Sequence, residues 1–204
     1  MKIPKQLLEK IESGLLPTEI LNGEDLAKKK YQRIASVLLS IVMREEPCVI
    51  LTQRPETMPE HPGQIAFPGG KRENNENALE TVLRETKEEI GLLPRDITVI
   101  GRLPSFDSVS NYRVTPFVGI VEPNAKFIIE PSEVDDIFEV PLEFLMNSDN
   151  HVARSVKYKG KTLTIYDMPY KSVDGVYRNI WGMTAMIIYR LYQRSFLSVF
   201  EIDY

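Results

Sequence analysis

The chain has 204 residues, a formal net charge of −4 and one cysteine. That length suits one domain able to bury about 70% of its unfolded surface without covalent staples, and the lone Cys48 excludes an internal disulfide framework and fits a reducing compartment. The acidic balance argues against non-specific nucleic-acid binding, which needs a basic stripe; no apolar stretch approaches the ~20 residues of a membrane span, and the charged start MKIPKQLLEKIESGLL lacks a signal-peptide core, so a cytoplasmic location is expected.

Taken in order, residues 4–13 read as a short amphipathic helix with Leu7, Leu8 and Ile11 on one face. Residues 23–31 read as a second, with Lys28–Lys30 as its solvated end. Residues 1–32 are therefore set apart as an N-terminal helical extension before a domain at 33–204. RIASVLLSIVM (33–43) and VILTQR (49–54) read as adjacent strands joined by EEPC, with Cys48 as a buried thiol. RPETMPEHPGQ (54–64) is a proline-rich loop, and Pro68-Gly69-Gly70 reads as a tight turn into a helix over 75–90 that Gly91 stops.

Beyond Pro94, DITVIGRL, YRVTPFVGIV and a short FII read as strands. PSEVDDIFEVPLEFL reads as a loop passing into helical turns. VARSVKY and KTLTIYDMPY form a hairpin around Lys159-Gly160, and residues 178–195 read as an amphipathic helix carrying Trp181 on its apolar side. His61 reads as a loop histidine and His151 as a surface one. Mixed strands flanked by helices imply an α/β fold, a layered α/β/α sandwich with a mixed sheet.

The helix at 75–90 carries the chemistry. Stepping about 100° per residue puts Glu85, Glu88 and Glu89 on one arc about 100° wide. Leu79, Val82, Leu83, Thr86 and Ile90 fill the neighbouring arc, and Glu76, Glu80 and Lys87 project away from both. Carboxylates at these spacings repel one another. A hard divalent cation relieves them, and an all-oxygen donor set points to Mg²⁺, with Mn²⁺ as the alternative. Gly69-Gly70 lets the backbone approach such an ion, which makes the Gly70 carbonyl a candidate ligand. Arg84 lies one turn from Glu88, placed to orient it.

The spacing Gly70-x5-Glu76-x7-Arg84-Glu85-Thr86-x-Glu88-Glu89-x-Gly91-Leu92 resembles the Nudix box of hydrolases that cleave nucleoside diphosphates linked to another moiety. The resemblance implies the Nudix α/β/α fold and a metal-dependent pyrophosphohydrolase. Glu85, Glu88 and Glu89 would be metal ligands and catalytic residues, Arg84 would orient them, and Glu76 would support the helix start. Thr86 stands where an aliphatic residue is usual. Such enzymes often carry a further acid outside the box, and Glu133 is the candidate, as ligand or base.

A second stretch, Ile50-Leu51-Thr52-x-Arg54 followed by Gly63-x3-Phe67-Pro68-Gly69-Gly70, is similar to the signature of coenzyme A pyrophosphatases. Val114-Thr115-Pro116, Val140-Pro141-Leu142 and Ile180-Trp181-Gly182-x-Thr184-Ala185 also match that subfamily. It departs at Pro59, where an arginine is expected, and at Pro55. The expected activity is hydrolysis of the phosphoanhydride of coenzyme A or its derivatives to adenosine 3′,5′-bisphosphate and 4′-phosphopantetheine. A metal-oriented water would attack, and Glu85 or a second carboxylate would take its proton. Arg54, Phe67, Gly69 and Gly70 are the substrate-binding candidates. The alternatives are the same chemistry on ADP-ribose, another nucleoside diphosphate derivative or a nucleoside triphosphate, and a silent binding module of the same fold. The expected partner is a small nucleotide, with no nucleic acid or membrane. The helix at 178–195 offers a face for a homodimer.

Overall fold

The computed structural model describes residues 5–20, 23, 25–29, 32–73 and 75–197. The first described element is α1 (Lys5–Ser13), whose Ile11 is buried. No second helix forms at the described residues 25–29. There Lys29 reaches Asp107 at 2.9 Å rather than ending a solvated helix. Lys30 and Tyr31 lie outside the described residues.

β1 (Arg33–Met43) is the spine of the fold, and its last nine residues are all buried. A strand covered on both faces needs apolar or neutral residues at every position, not at alternate ones. It pairs antiparallel with β2 (Pro47–Gln53) and with the three-residue β4 (Gly69–Lys71). On its other side it runs parallel to β7 (Tyr112–Val121) along ten register pairs. β3 (Ile65–Ala66) and β8 (Asp136–Pro141) pair with β2, and β5 (Ile97–Arg102) and β6 (Phe106–Asp107) pair with β7. The result is a mixed eight-stranded sheet.

Each face of the sheet has its own core. On one, Leu38, Val42, Ile50 and Phe117 meet Ala78, Val82 and Ile90 of α2 (Ala78–Ile90). On the other, Val37, Leu39 and Ile41 meet Ile11, Leu145 of α3 (Leu142–Met146), and Ile187, Ile188 and Leu191 of α4 (Gly182–Ser195). The α/β/α layering follows. The apolar side of α4 is thus covered within the chain. α1 is fastened to it as well: Ser195 Oγ donates to the Ile11 carbonyl at 3.1 Å and Arg194 Nε to that of Gly14 at 2.6 Å.

A second, three-stranded sheet joins β9 (Val152–Tyr158), β10 (Lys161–Lys171) and β11 (Tyr177–Trp181). Its first hairpin turns at Lys159 (φ 47°) and Gly160 (φ 75°), the two positive φ angles a tight two-residue turn requires.

Several expectations need correcting. Pro68-Gly69-Gly70 is not a turn: the two glycines belong to β4. FII (127–129) is not a strand but runs against the end of α2, where Ile128 N donates to the Ile90 carbonyl at 2.8 Å. Asp136–Pro141, read as loop and helical turns, is a strand with Phe138 and Val140 buried at alternate positions. Residues 178–181 are strand β11, so the helix starts at Gly182, and Trp181 is 42% exposed rather than on an apolar helix face. His151 is no surface residue. Its Nε2 lies 2.7 Å from the Leu145 carbonyl, and its ring packs edge-on against Tyr189 and Tyr192. Cys48 is half-buried rather than buried. The end of the chain beyond Leu197 lies outside the described residues.

Candidate functional site

The site is built where β4 meets α2. The helix is capped at both ends. The Asn77 side chain accepts from Leu79 N and Glu80 N, and Glu80 Oε2 accepts in return from Asn77 N at 2.8 Å, a reciprocal capping box. At the far end Gly91 (φ 67°) takes the left-handed conformation, and its N–H donates to the Lys87 carbonyl. The helix therefore begins at Ala78, three residues later than periodicity suggests. Glu76 lies before it, outside the helical wheel that pointed it to solvent.

Glu76 instead meets Arg84. Arg84 Nε donates to Glu76 Oε1 at 2.6 Å and Nη1 to Glu88 Oε2 at 2.7 Å; Nη2 lies 3.0 Å from Glu85 Oε1 and donates to the Lys71 carbonyl at 3.1 Å. The guanidinium beside it holds the Glu76 carboxyl down to about 2, and Glu76 in turn raises Arg84. Arg84 thus ties the pre-helix loop, β4 and the helix together.

One residue type away, the environment is opposite. Glu85, Glu89 and Glu133 each offer a carboxylate oxygen, and these oxygens lie within 4.8 Å of one another. Glu89 is only 5% exposed. Its Oε2 accepts from Gly69 N at 2.9 Å, yet burial pushes its carboxyl up to about 8. Burial also raises Glu85. Glu133 arrives from the 122–134 loop, which is held to the helix end because Glu130 N donates to the Glu89 carbonyl at 3.0 Å. The next residue, Val134, is buried in the α2 core and anchors it.

The glycines matter by close approach. A Cβ on Gly70 would fall on the Glu85 carboxylate, and one on Gly69 (φ 144°) would fall on the Ser36 carbonyl oxygen. Gly69 needs glycine for β4 to lie this close to the β1 backbone, whereas at Gly70 a methyl would displace the Glu85 carboxylate.

Of the residues expected from the sequence, Glu85, Glu89, Glu133, Gly69 and Gly70 come together. Glu88 does not join them; its carboxylate is 52% exposed and sits on Arg84. Arg54, at the end of β2, lowers Glu89 by its charge, and its Nε is buried without a hydrogen bond. Phe67 is 3% exposed within the core. Its side chain packs there and does not face the carboxylate cluster as an exposed contact. Residues that the sequence reading passed over are Lys71, whose carbonyl holds Arg84, and Asn77, a signal available in its place ahead of Glu80.

Three clustered carboxylates, one deeply buried, fit a divalent metal by donor chemistry. The NUDIX domain model matches residues 30–158. The chain belongs to that family and is a Nudix hydrolase, a pyrophosphohydrolase by class. It is 38% identical over 161 residues to a Klebsiella pneumoniae protein named uncharacterized Nudix hydrolase NudL, spanning 78% of this chain and 81% of that one. A Citrobacter koseri protein of the same name is 36% identical over 172 residues, 84% and 85% of the two chains. Among solved structures, a MutT/nudix family protein from Enterococcus faecalis overlays with a TM-score of 0.52 at 18% identity, spanning 83% of this chain and 64% of that one. That likeness shows the fold.

Proposed function

We propose that this Nudix hydrolase cleaves the phosphoanhydride of coenzyme A and its derivatives, with a divalent cation, Mg²⁺ or Mn²⁺, held by Glu85, Glu89 and Glu133 and by the Gly70 carbonyl. The observation that carries the hydrolytic part is the meeting of those three carboxylates beside β4. Such a cation would neutralise the cluster and polarise a bound phosphate.

The chain's own residues do the rest. Arg54 offers its buried, unbonded Nε–H to a phosphate oxygen. Gly69 N–H fixes the Glu89 carboxylate. Arg84 fixes Glu85, and through Lys71 it fixes β4; it is a positioning residue. Glu88 holds Arg84 in turn. Glu85 or Glu133 takes the proton of the attacking water as its oxygen bonds to one phosphorus and the bridging P–O bond breaks. The products are adenosine 3′,5′-bisphosphate and 4′-phosphopantetheine.

Coenzyme A as substrate is supported by the stretch from Ile50 to Gly70. Its Arg54 and Gly69-Gly70 lie at the carboxylate cluster. The test is a panel of coenzyme A, acetyl-coenzyme A, ADP-ribose, NADH, diadenosine polyphosphates and dNTPs with Mg²⁺ and with Mn²⁺. Release of adenosine bisphosphate from coenzyme A is expected to be fastest. Brisk cleavage of ADP-ribose with none of coenzyme A would overturn the substrate.

A further inference from the structure

A cavity of about 420 Å³ lies at the start of β1, lined by Arg33, Glu60, His61, Ser110, Asn111 and Tyr112. Two strands of chain tie it to the carboxylate cluster. The loop that begins at Arg54, beside Glu89, carries Glu60 and His61 into the cavity wall. Its base is closed by Arg54 N donating to the Gln64 carbonyl at 3.0 Å and Gln64 N to that of His61 at 3.4 Å. Along β1, Ser36 stands opposite Gly70, and Arg33 is three residues upstream, roughly 10 Å along the strand. The start of β1 thus lies about 10 Å along the strand from the glycines of β4.

Its chemistry is that of an anion site. Arg33 Nη1 donates to the Tyr112 hydroxyl at 2.9 Å, and its guanidinium lies 5.5 Å from the centre of that ring. Its carboxylate contact, Glu60, is exposed and 3.7 Å away, so donors of the fork remain for a ligand. The hairpin of the second sheet leans on the same rim. Tyr158 Oη donates to the Val109 carbonyl at 3.3 Å, next to Ser110. The Lys159 ammonium lies over that Tyr158 ring, 5.3 Å from its centre. Glu60 is the carboxylate in the wall itself, while nearby Asp107 is already taken by Lys29, Gln32 and Arg113.

We infer that this cavity takes the second phosphate of a nucleoside 3′,5′-bisphosphate, with Arg33 and His61 as its specificity-determining residues. The inference rests on the proposed hydrolysis of coenzyme A, whose nucleotide half carries that extra phosphate. It turns the cavity into the element that separates coenzyme A from nucleoside diphosphate derivatives lacking a 3′-phosphate. Pro59, where an arginine was expected, then matters less, because Arg33 supplies a guanidinium from β1.

The test uses the full chain with Mg²⁺. The wild type is expected to bind adenosine 3′,5′-bisphosphate about tenfold or more tightly than AMP by calorimetry. Arg33→Gln should erase that preference, and Arg33→Lys should keep part of it. His61→Asn, which suits the positive φ of 59°, should reduce it without disturbing the fold. In kinetics, Arg33→Gln should lower the ratio of kcat/KM for coenzyme A over 3′-dephospho-coenzyme A about tenfold. Equal binding of the two nucleotides by the wild type, or an unchanged ratio in folded variants, would overturn the inference and leave the hydrolase reading standing. If the wild type cleaved neither substrate, the substrate reading would fail, while the calorimetric comparison would still decide the cavity.

Discussion

Two groups of carboxylates lie on and around α2, and the chain treats them oppositely. Glu76 and Glu88 share the Arg84 guanidinium, and Glu76 is held down to about 2. Glu85, Glu89 and Glu133 share one another, and burial pushes Glu89 up to about 8. The first group is a finished ion-pair network that braces the loop, β4 and helix. The second is an incomplete one, stable without metal only because a buried acid accepts a proton more readily than a charge. The difference teaches where the cation belongs: it completes the group whose counter-ions inside the protein, Arg84 beside Glu85 and the Arg54 charge near Glu89, fall short of its three carboxylates.

Removing a member of the incomplete group should have the largest effect. Glu89→Gln is expected to lower kcat by about 10²–10⁴-fold. The metal-free protein should melt no lower than the wild type, since the amide replaces a protonated acid in a buried place, and the rise in Tm on adding Mg²⁺ should disappear. A variant that kept both turnover and the Mg²⁺ shift would remove Glu89 from the metal set.

Breaking the finished group should cost both stability and activity. Arg84→Gln leaves Glu76, Glu85 and Glu88 without their shared cation. A loss of about 2 kcal/mol is expected in urea denaturation, together with a fall of about 10- to 100-fold in kcat/KM. Arg84→Lys should recover little, because an ammonium cannot span the carboxylates and the Lys71 carbonyl at once.

Gly70→Ala probes the border between the two groups. The added methyl meets the Glu85 carboxylate at the end of a flexible side chain. The expected result is a fall in turnover of about tenfold with a Tm close to that of the wild type. A large drop in Tm with turnover per folded molecule unchanged would mean that β4, not Glu85, had moved.

The smallest effect is expected from a compensated carboxylate away from the site. Asp107 lies 2.9 Å from Lys29 and accepts from Gln32 at 2.9 Å and Arg113 at 3.1 Å; the Lys29 ammonium above all holds it down to about 2. Because its folded value lies below the unfolded one, its contribution is fully present above about pH 4. It fades as pH falls toward 2. Asp107→Asn should cost less than about 1 kcal/mol at neutral pH. The gap from wild type should narrow on acidification, as read from urea denaturation at several pH values.

Much of the reactive helix was legible because its message is local. The 3.6-residue period separates apolar Val82 and Ile90 from acidic Glu85 and Glu89, and Gly91 ends the helix wherever the rest of the chain lies. Other parts misled for equally physical reasons. FII has strand composition, but its backbone partners are the last carbonyls of α2, which no local pattern announces. Asp136–Pro141 alternates buried and half-buried residues over so short a run that the surrounding acids and prolines hid it. RNIW merged with the helix after it because an apolar run at a strand–helix junction fits either period.

By itself, the sequence determined the mixed α/β class, the hairpin at Lys159-Gly160, the acidic helix with its glycine stop, and the family, since these rest on spacing and on the conformations that single residues permit. Only the tertiary structure decided which acids act together. It buried Glu89 and drew in Glu133 from a loop far along the chain. It turned Glu88 to Arg84, and it put Phe67 in the core. Burial and through-space charge belong to no single segment; they arise when β4, α2 and the loop before Val134 are packed against the same sheet.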